Sequence, residues 1–341
     1  MYKVIVTGCG GFIGWHIAML LLKEGHMVYG IDSCTYASNR ARMLKLDFEN
    51  YKLDERLKRY TFEQCDIREL HHLPECDFVI NCAAETHVDN SLKGSAVFMD
   101  SNIGGVYKLL ELIRGRSQYG MPTFIQFSTD EVYGDSNVPH TEESLLRPSN
   151  PYAATKAAAD QLINAWGRTY NMPYIILRPS NNYGEGQFPE KLIPKAIANL
   201  LQGKKIPLHL KGTPFRTWLH VEDTARAVLS LLKWLNSKPK SPKPKSPKPI
   251  QEIFNISGDI LEQNIDVVSR LIRAVHGTSN NLDKYIEWGY ERPGADLTYR
   301  LNDNKFRYET GWKPEVTDFD KALGDIVSYE TENNRILEWV Q

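Results

Sequence analysis

The stretch KVIVTGCGGFIGWHIAMLLLKEGHMVYGID, residues 3–32, decides the fold. It opens on an apolar, β-branched run, KVIVT, that stops at Gly8. The following FIGWHIAMLLLKEGH has helical periodicity and a terminating Gly25. MVYGID then reads as a second strand that ends in Asp32. Strand, glycine-rich turn, helix and strand in immediate succession describe two parallel strands joined by a crossover helix.

The same alternation continues outward. YTFEQCDI, DFVINCAA, TFIQFST and PYIILRPS are further strand candidates, with helical stretches near residues 95–114 and 152–170. The strands are nearly continuous apolar runs, as burial on both faces requires, and do not alternate polar with apolar. The expected fold class is α/β, a Rossmann-like doubly wound parallel sheet with a smaller substrate-binding domain. Beyond residue 180 the pattern is less regular and richer in Gly and Pro, and the smaller domain is placed there. The segment KPKSPKPKSPKP, residues 238–249, holds five Lys and five Pro between the helical ARAVLSLLKWL and the strand EIFNIS. Proline-rich, like-charged sequence favours solvated, extended chain. We read it as a surface-loop insertion; docking to an acidic or proline-recognising partner is the other reading.

Composition narrows the classes. The chain has 341 residues, 42% hydrophobic and 24% charged, ordinary values for a globular protein. A formal net charge of −1 gives no global field for nucleic acid or a membrane surface. No apolar run approaches the roughly 20 residues of a membrane helix. The five cysteines are scattered with no C-x-x-C pair, so no metal site is expected and a reducing cytoplasm is. The opening MYKVIVTG already reads as strand and turn, which leaves no room for a signal peptide.

The glycine turn indicates the ligand. Gly8, Gly11 and Gly14 are spaced G-x-x-G-x-x-G between a strand and a helix, with Gly10 in addition. Such a turn lets backbone approach a pyrophosphate at the positive end of the helix. Asp32 is placed to accept hydrogen bonds from an adenosine ribose and would repel a 2′-phosphate, so NAD is expected rather than NADP. Arg40 and Arg42, which could argue otherwise, read as surface charges. The expected cofactor contacts are Gly8, Gly11, Phe12, Ile13 and Gly14, then Asp32, Ser33 and Thr35. Asp66, Ile67, Ala83, Ala84 and Glu85, at carboxyl ends of later strands, complete this side.

Two further features carry chemistry. NPYAATKAAAD places Tyr152 and Lys156 on one face at the start of a helix. A phenol titrating near 10 is a poor base, but a neighbouring ammonium and the positive nicotinamide of NAD would favour its phenolate. FSTDEVYGD sets Asp130 and Glu131 side by side after an apolar strand. Adjacent carboxyls can push each other's pKa apart and so supply one acid and one base.

Taken together, the glycine loop, Tyr152 and Lys156 resemble the extended short-chain dehydrogenase/reductases over nearly the whole chain. Within them, AAETHVDNS, FSTDEVYG, SNNYGEGQFPEKLIPKAI, RTWLHVEDTA, FNISG and ERPGADLTYRLN resemble the nucleotide-diphosphate-glucose 4,6-dehydratases, those acting on dTDP-glucose above all. The resemblance implies oxidation of the glucose at C4 by NAD, with Tyr152 as base and Lys156 assisting. Glu131 then removes the C5 proton, Asp130 protonates the departing C6 hydroxyl, hydride returns to C6, and Thr129 hydrogen-bonds the sugar near O4. It also implies that Ser101 and Asn182 fall on the cofactor side. Thr86, Asn181, Lys191, Leu192, Pro207, His209, Arg216, Asn255 and Arg292 are the implied nucleotide-sugar contacts, Arg216 as the diphosphate ligand.

The chain departs from the family pattern at His209, Thr217 and Ala295, all on the nucleotide side, which leaves thymine against uracil open. UDP-glucose is therefore the rival substrate. An epimerase or decarboxylase of the same fold, or a silent NAD-binding scaffold, are the other readings. Asp130 argues against the first, since such chemistry needs no acid at C6, and the intact Tyr, Lys, Asp and Glu set argues against the second. The expected division is a NAD-binding domain of residues 1–180 and 213–256 and a nucleotide-sugar domain of 181–212 and 257–341. A homodimer through the helices near 95–114 and 152–170 and a place in deoxysugar supply, such as rhamnose formation, complete the implications.

Overall fold

The computed structural model describes residues 1–53, 59–118, 120–238 and 249–333; most of the Lys/Pro segment, 239–248, lies outside them. β1 (Lys3–Thr7), α1 (Phe12–Lys23) and β2 (Met27–Asp32) form the first crossover unit. α2 (Arg40–Leu53), in a stretch for which the sequence suggested no element, leads to β3 (Tyr60–Gln64) and β4 (Phe78–Asn81). α3 (Val88–Lys93) and α4 (Ala96–Phe98) follow, and α4 widens through a π-helical segment, Met99–Gly104, into α5 (Gly105–Arg114). β5 (Thr123–Phe127), α6 (Pro151–Tyr170) and β6 (Tyr174–Pro179) close the regular alternation.

The second half is composed of β7 (Asn181–Tyr183), α7 (Leu192–Leu201), β8 (Ile206–His209), β9 (Phe215–His220) and α8 (Val221–Ser237). β10 (Gln251–Ile256), β11 (Ile260–Gln263), α9 (Asn264–His276), β12 (Ile286–Tyr290), β13 (Thr298–Tyr299), α10 (Asn304–Thr310) and α11 (Phe319–Asn333) complete it.

Seven strands form one sheet in the order β10-β6-β5-β4-β1-β2-β3, and every neighbouring pair is parallel. Parallel strands need both faces covered, and β4 and β6 are buried along their whole lengths. One face packs Ile17, Leu21 and Leu22 of α1 against Val228, Leu231 and Leu232 of α8. The other packs Val106, Leu109 and Leu110 of α5 with Ile163 of α6. Strand order reverses between β1 and β4, so the loops after these strands diverge and open a crevice at the carboxyl edge.

A smaller body sits over that edge. β9 pairs with β11 on one side and with β7 and β13 on the other. β8 and β12 form a separate parallel pair. α7, α9 and α11 bury Ile193, Ile197, Val267, Leu271, Leu323 and Ile326 together. The segment beginning at 213, expected with the NAD-binding part, divides. Both edges of β9 are taken up by strands of the small sheet, while α8 directly after it returns to cover the large one.

A buried polar bridge ties α6 to the sheet. Arg178 of β6 reaches Asp160 of α6 at 2.9 Å, and both side chains are almost fully buried. Arg178 also donates to the Tyr133 hydroxyl at 2.8 Å. Removing one partner of such a pair leaves an uncompensated buried charge. Asp160→Ala should therefore lose about 3–5 kcal/mol of stability in urea melts, and the double change Asp160→Leu, Arg178→Met should recover most of it.

Candidate active site

The crevice at the strand reversal is built by close backbone approach. Gly8 has φ +68°, and a Cβ there would stand 2.8 Å from the Ala83 nitrogen in the loop after β4. At Gly14 a Cβ would lie 2.2 Å from the Gly8 carbonyl oxygen, so the first turn of α1 rests directly on the loop. Gly11 begins α1 with no side-chain cap and no acidic residue in the first turn, which leaves the helix's N–H groups for an anion. The Asp32 carboxylate is fixed by N–H donors from Gly10 (2.9 Å) and Cys34 (2.7 Å).

Gly8, Gly11 and Asp32 line a cleft of about 800 Å³ with Ser33, Thr35, Asp66, Ile67, Ala83, Ala84, Glu85 and Ser101. Phe12, Ile13 and Gly14 stand behind it in α1, and Asn182 lines the neighbouring cleft instead. A dinucleotide fits this cradle: tight glycines, an uncapped helix start and a carboxylate at the second strand's end. Arg68 was missed by sequence reasoning; it lines the cleft and forks onto Asp66 at 3.0 and 2.7 Å. That guanidinium holds the Asp66 carboxyl below its ordinary value. From the π-helical segment, Asn102 accepts from the Glu85 N–H (2.9 Å) and donates to its carbonyl (3.0 Å), which sets the cleft wall. Arg42, read as a surface charge, is instead 4% exposed, with its guanidinium 6.0 and 5.7 Å from the Phe12 and Trp15 rings. The aromatic residues of α1 draw it behind the helix, away from the cleft. The side chain of Arg40 lies outside the described residues.

The acid pair sits just past the end of β5. Thr129 is extended and caps a single 3₁₀ turn, Asp130–Tyr133, its Oγ1 accepting from the Glu131 N–H at 3.3 Å. The turn sends the two carboxyls into different surroundings. Asp130 is 4% exposed, and its Oδ2 has no hydrogen-bond partner. Burial first, and the Glu131 charge second, push the Asp130 carboxyl up to about 7; Arg216 pulls the other way. Glu131 faces the larger cleft and accepts from the Asn150 amide at 3.1 Å.

α6 begins at Asn150, whose side chain caps the Ala153 N–H, with Pro151 in the first turn. That start sets Tyr152 and Lys156 one turn apart. Lys156 is 3% exposed and donates to the Phe127 carbonyl at 2.6 Å, which pins the helix to the end of β5. Burial brings its ammonium down to about 8, against the pull of Asp160. Burial, then the Glu131 charge, raises the Tyr152 hydroxyl above its ordinary value, while the Thr129 hydroxyl opposes the shift. The phenol is thus a proton holder that needs nearby positive charge to act as a base.

The larger cleft, about 1100 Å³, is lined by Glu131, Asn181, Lys191, Leu192, Pro207, His209, Arg216 and Arg292. Thr86 stands at its side, its carbonyl taking the Lys191 ammonium at 2.8 Å. Arg216 donates to the Phe215 and Asp296 carbonyls (2.7 and 3.0 Å), and its guanidinium lies 4.3 Å from the Tyr299 ring centroid. Burial, then Arg292, brings the His209 imidazole down to about 4, so it is neutral at pH 7. Of the three departures from the family pattern, His209 and Ala295 line the cleft, whereas Thr217 turns to the Tyr299 carbonyl at 3.4 Å.

Asn255, expected among the sugar contacts, is not brought there. It is fully buried, its Oδ1 accepts from the Tyr133 hydroxyl (2.8 Å), and its amide donates to the His140 and Asn302 carbonyls. Asp89, Gln187, Glu190 and Tyr299 line the cleft but were missed, although each lies within a motif quoted above. Glu190 also accepts from the Tyr36 hydroxyl at 3.1 Å, which joins the loop after β2 to the segment before α7.

The family model described as "NAD dependent epimerase/dehydratase family" matches residues 4–257. The chain is 36% identical to dTDP-glucose 4,6-dehydratase of Salmonella typhimurium over 367 residues, covering 99% of this chain and 94% of that one. It is 35% identical to the Haemophilus influenzae protein of the same name, with 96% and 98% covered. Among solved structures it is similar to DesIV, a dTDP-glucose 4,6-dehydratase from Streptomyces venezuelae with NAD bound, at a TM-score of 0.85 and 33% identity over 98% of each chain.

Asp130 gives this site a pH signature. Below the ordinary value of 3.8 both folded and unfolded chains hold its proton; between 3.8 and about 7 only the folded chain does. The unfolded chain then binds fewer protons, so this group's contribution to stability falls as pH rises through that window and is level above it. Asp130→Asn should remove that slope from urea melts taken at successive pH values. Glu131→Gln should move the protonated-carboxyl infrared band of Asp130 to lower pH.

Proposed function

The chain belongs to the NAD dependent epimerase/dehydratase family, and we propose that it is a dTDP-glucose 4,6-dehydratase, forming dTDP-4-keto-6-deoxyglucose and water. One observation carries this reading: two adjacent carboxyls at the carboxyl edge of the sheet, one buried and proton-holding, the other facing the substrate cleft.

NAD in the smaller cleft supplies the hydride acceptor for C4 and the donor for C6. Tyr152 takes the O4 proton during the oxidation, its phenolate favoured by Lys156, and Thr129 orients the hydroxyl. The 4-ketone acidifies the C5 proton, and Glu131 removes it. Asp130, holding its proton near neutrality, gives it to the C6 hydroxyl, which leaves as water. Glu131 returns a proton to C5, and no net redox change remains. Epimerisation or decarboxylation needs no acid at C6, so Asp130 disfavours those reactions.

Arg216 and Lys191 are the cations for the diphosphate, and the neutral His209 ring is placed to stack on the base. UDP-glucose remains the rival because His209 and Ala295 stand where the family pattern differs. We assign the large sheet with its helices to the cofactor and the small body to the nucleotide sugar. Val97, Met99 and Tyr107 on α4 to α5 and Tyr170 on α6 are exposed apolar side chains, which supports a homodimer through these helices. Among the described residues no helix is long and apolar enough to cross a membrane, and we place the protein in the cytoplasm.

Incubation with dTDP-glucose deuterated at C4 should give a product lighter by one water with deuterium at C6; a C4 epimer of unchanged mass would refute the reading. UDP-glucose in parallel decides the base. Glu131→Gln should still reduce bound NAD on adding substrate yet eliminate water about 10²–10⁴-fold more slowly. Light scattering should give twice the chain mass of 39.0 kDa, and Tyr107→Glu should lower it toward one chain.

A further inference from the structure

We propose that Asn150 is a positioning residue for the base of the elimination, and that it sets that base against the residue that starts the reaction. The inference rests on the dehydratase reading above. Asn150 begins α6 in an extended conformation, φ −139° and ψ 162°, and its Oδ1 accepts from the Ala153 N–H at 2.9 Å. The cap requires an acceptor, so it fixes which way the amide faces. Nδ2 is left pointing at Glu131, 3.1 Å from Oε2. The side chain is 6% exposed, so water does not readily replace this contact.

The chain around it is held. The Arg147 N–H donates to the Val132 carbonyl at 3.0 Å, and Ser149 Oγ donates to Asp296. A Cβ at Gly134 would lie 2.3 Å from the Arg147 carbonyl oxygen, so the loop before α6 presses on the 3₁₀ turn that carries Glu131. An amide N–H can donate but cannot take a proton. It therefore holds one carboxylate oxygen without competing for the C5 proton and leaves Oε1 to collect it. Tyr152 is two residues further along the same helix start. One amide thus joins Glu131 to the helix start that carries Tyr152.

Asn150→Ser and Asn150→Asp test this, because both residues cap helices well. Serine is too short to reach Glu131, and aspartate sets a second negative charge beside it. With dTDP-glucose, Asn150→Ser should melt close to the parent temperature and reduce bound NAD at the parent rate. It should eliminate water roughly tenfold more slowly, the loss of one hydrogen bond to a charged group, so that absorbance at 340 nm accumulates. Asn150→Asp should eliminate more slowly still. Elimination at the parent rate in Asn150→Ser would overturn the proposal. So would a fall in melting temperature in both variants with oxidation and elimination slowed alike, since residue 150 would then only cap the helix. A parent protein that dehydrates neither dTDP-glucose nor UDP-glucose would overturn the functional reading itself, a result separate from either of these.

Discussion

The site depends on the parallel pairing of the large sheet. Parallel strands all end at one edge, and their order reverses between β1 and β4, so the loops there must part. Gly8 sets how tightly they close below the opening, since its bare α-carbon lets the first loop lie against Ala83. The cofactor cradle and the acid pair are hung from this edge: the uncapped start of α1, Asp32 at the end of β2, Asp66 after β3, and Asp130 and Glu131 after β5. The 2.6 Å bond from Lys156 to the Phe127 carbonyl then fixes α6 to the same edge, which brings Tyr152 to the acids.

Adjacency of like charges, a cost in most settings, is used here. The 3₁₀ turn after Thr129 rotates successive side chains apart, so Asp130 enters a dry environment and Glu131 the cleft. Each carboxyl makes the other's task easier to meet. Burial and the Glu131 charge together keep the proton on Asp130, while Glu131 lines the cleft.

Local signals were legible in the sequence, and long-range ones were not. The glycine loop, Asp32, the acid pair and the Tyr-Lys spacing each lie within one short segment, and the structure assembles them at one edge. α2 was passed over because its sequence, RARMLKLDFENYKL, is polar on average and only Met43 and Leu46 among its described side chains are buried apolar groups. Arg42 reads as a surface charge, yet it is enclosed by Phe12 and Trp15, which no local pattern announces. Asn255 follows a sugar-binding pattern, but its neighbours Tyr133 and His140 lie more than a hundred positions earlier and take up its amide. The expected placement of residues 213–256 departs at β9 for the same reason: only its pairing partners show which sheet it joins.

The parallel sheet has a second edge as well. α8 ends at Ser237 and β10 begins at Gln251, so the chain enters the sheet here at the edge a full strand length from the acids. Chain added there changes neither the strand order nor the loops that carry the chemistry. Natural drift in length, or an engineered tag or docking sequence, can accumulate at that end while the catalytic edge is left as it is. The two edges separate what must be kept from what is free to vary.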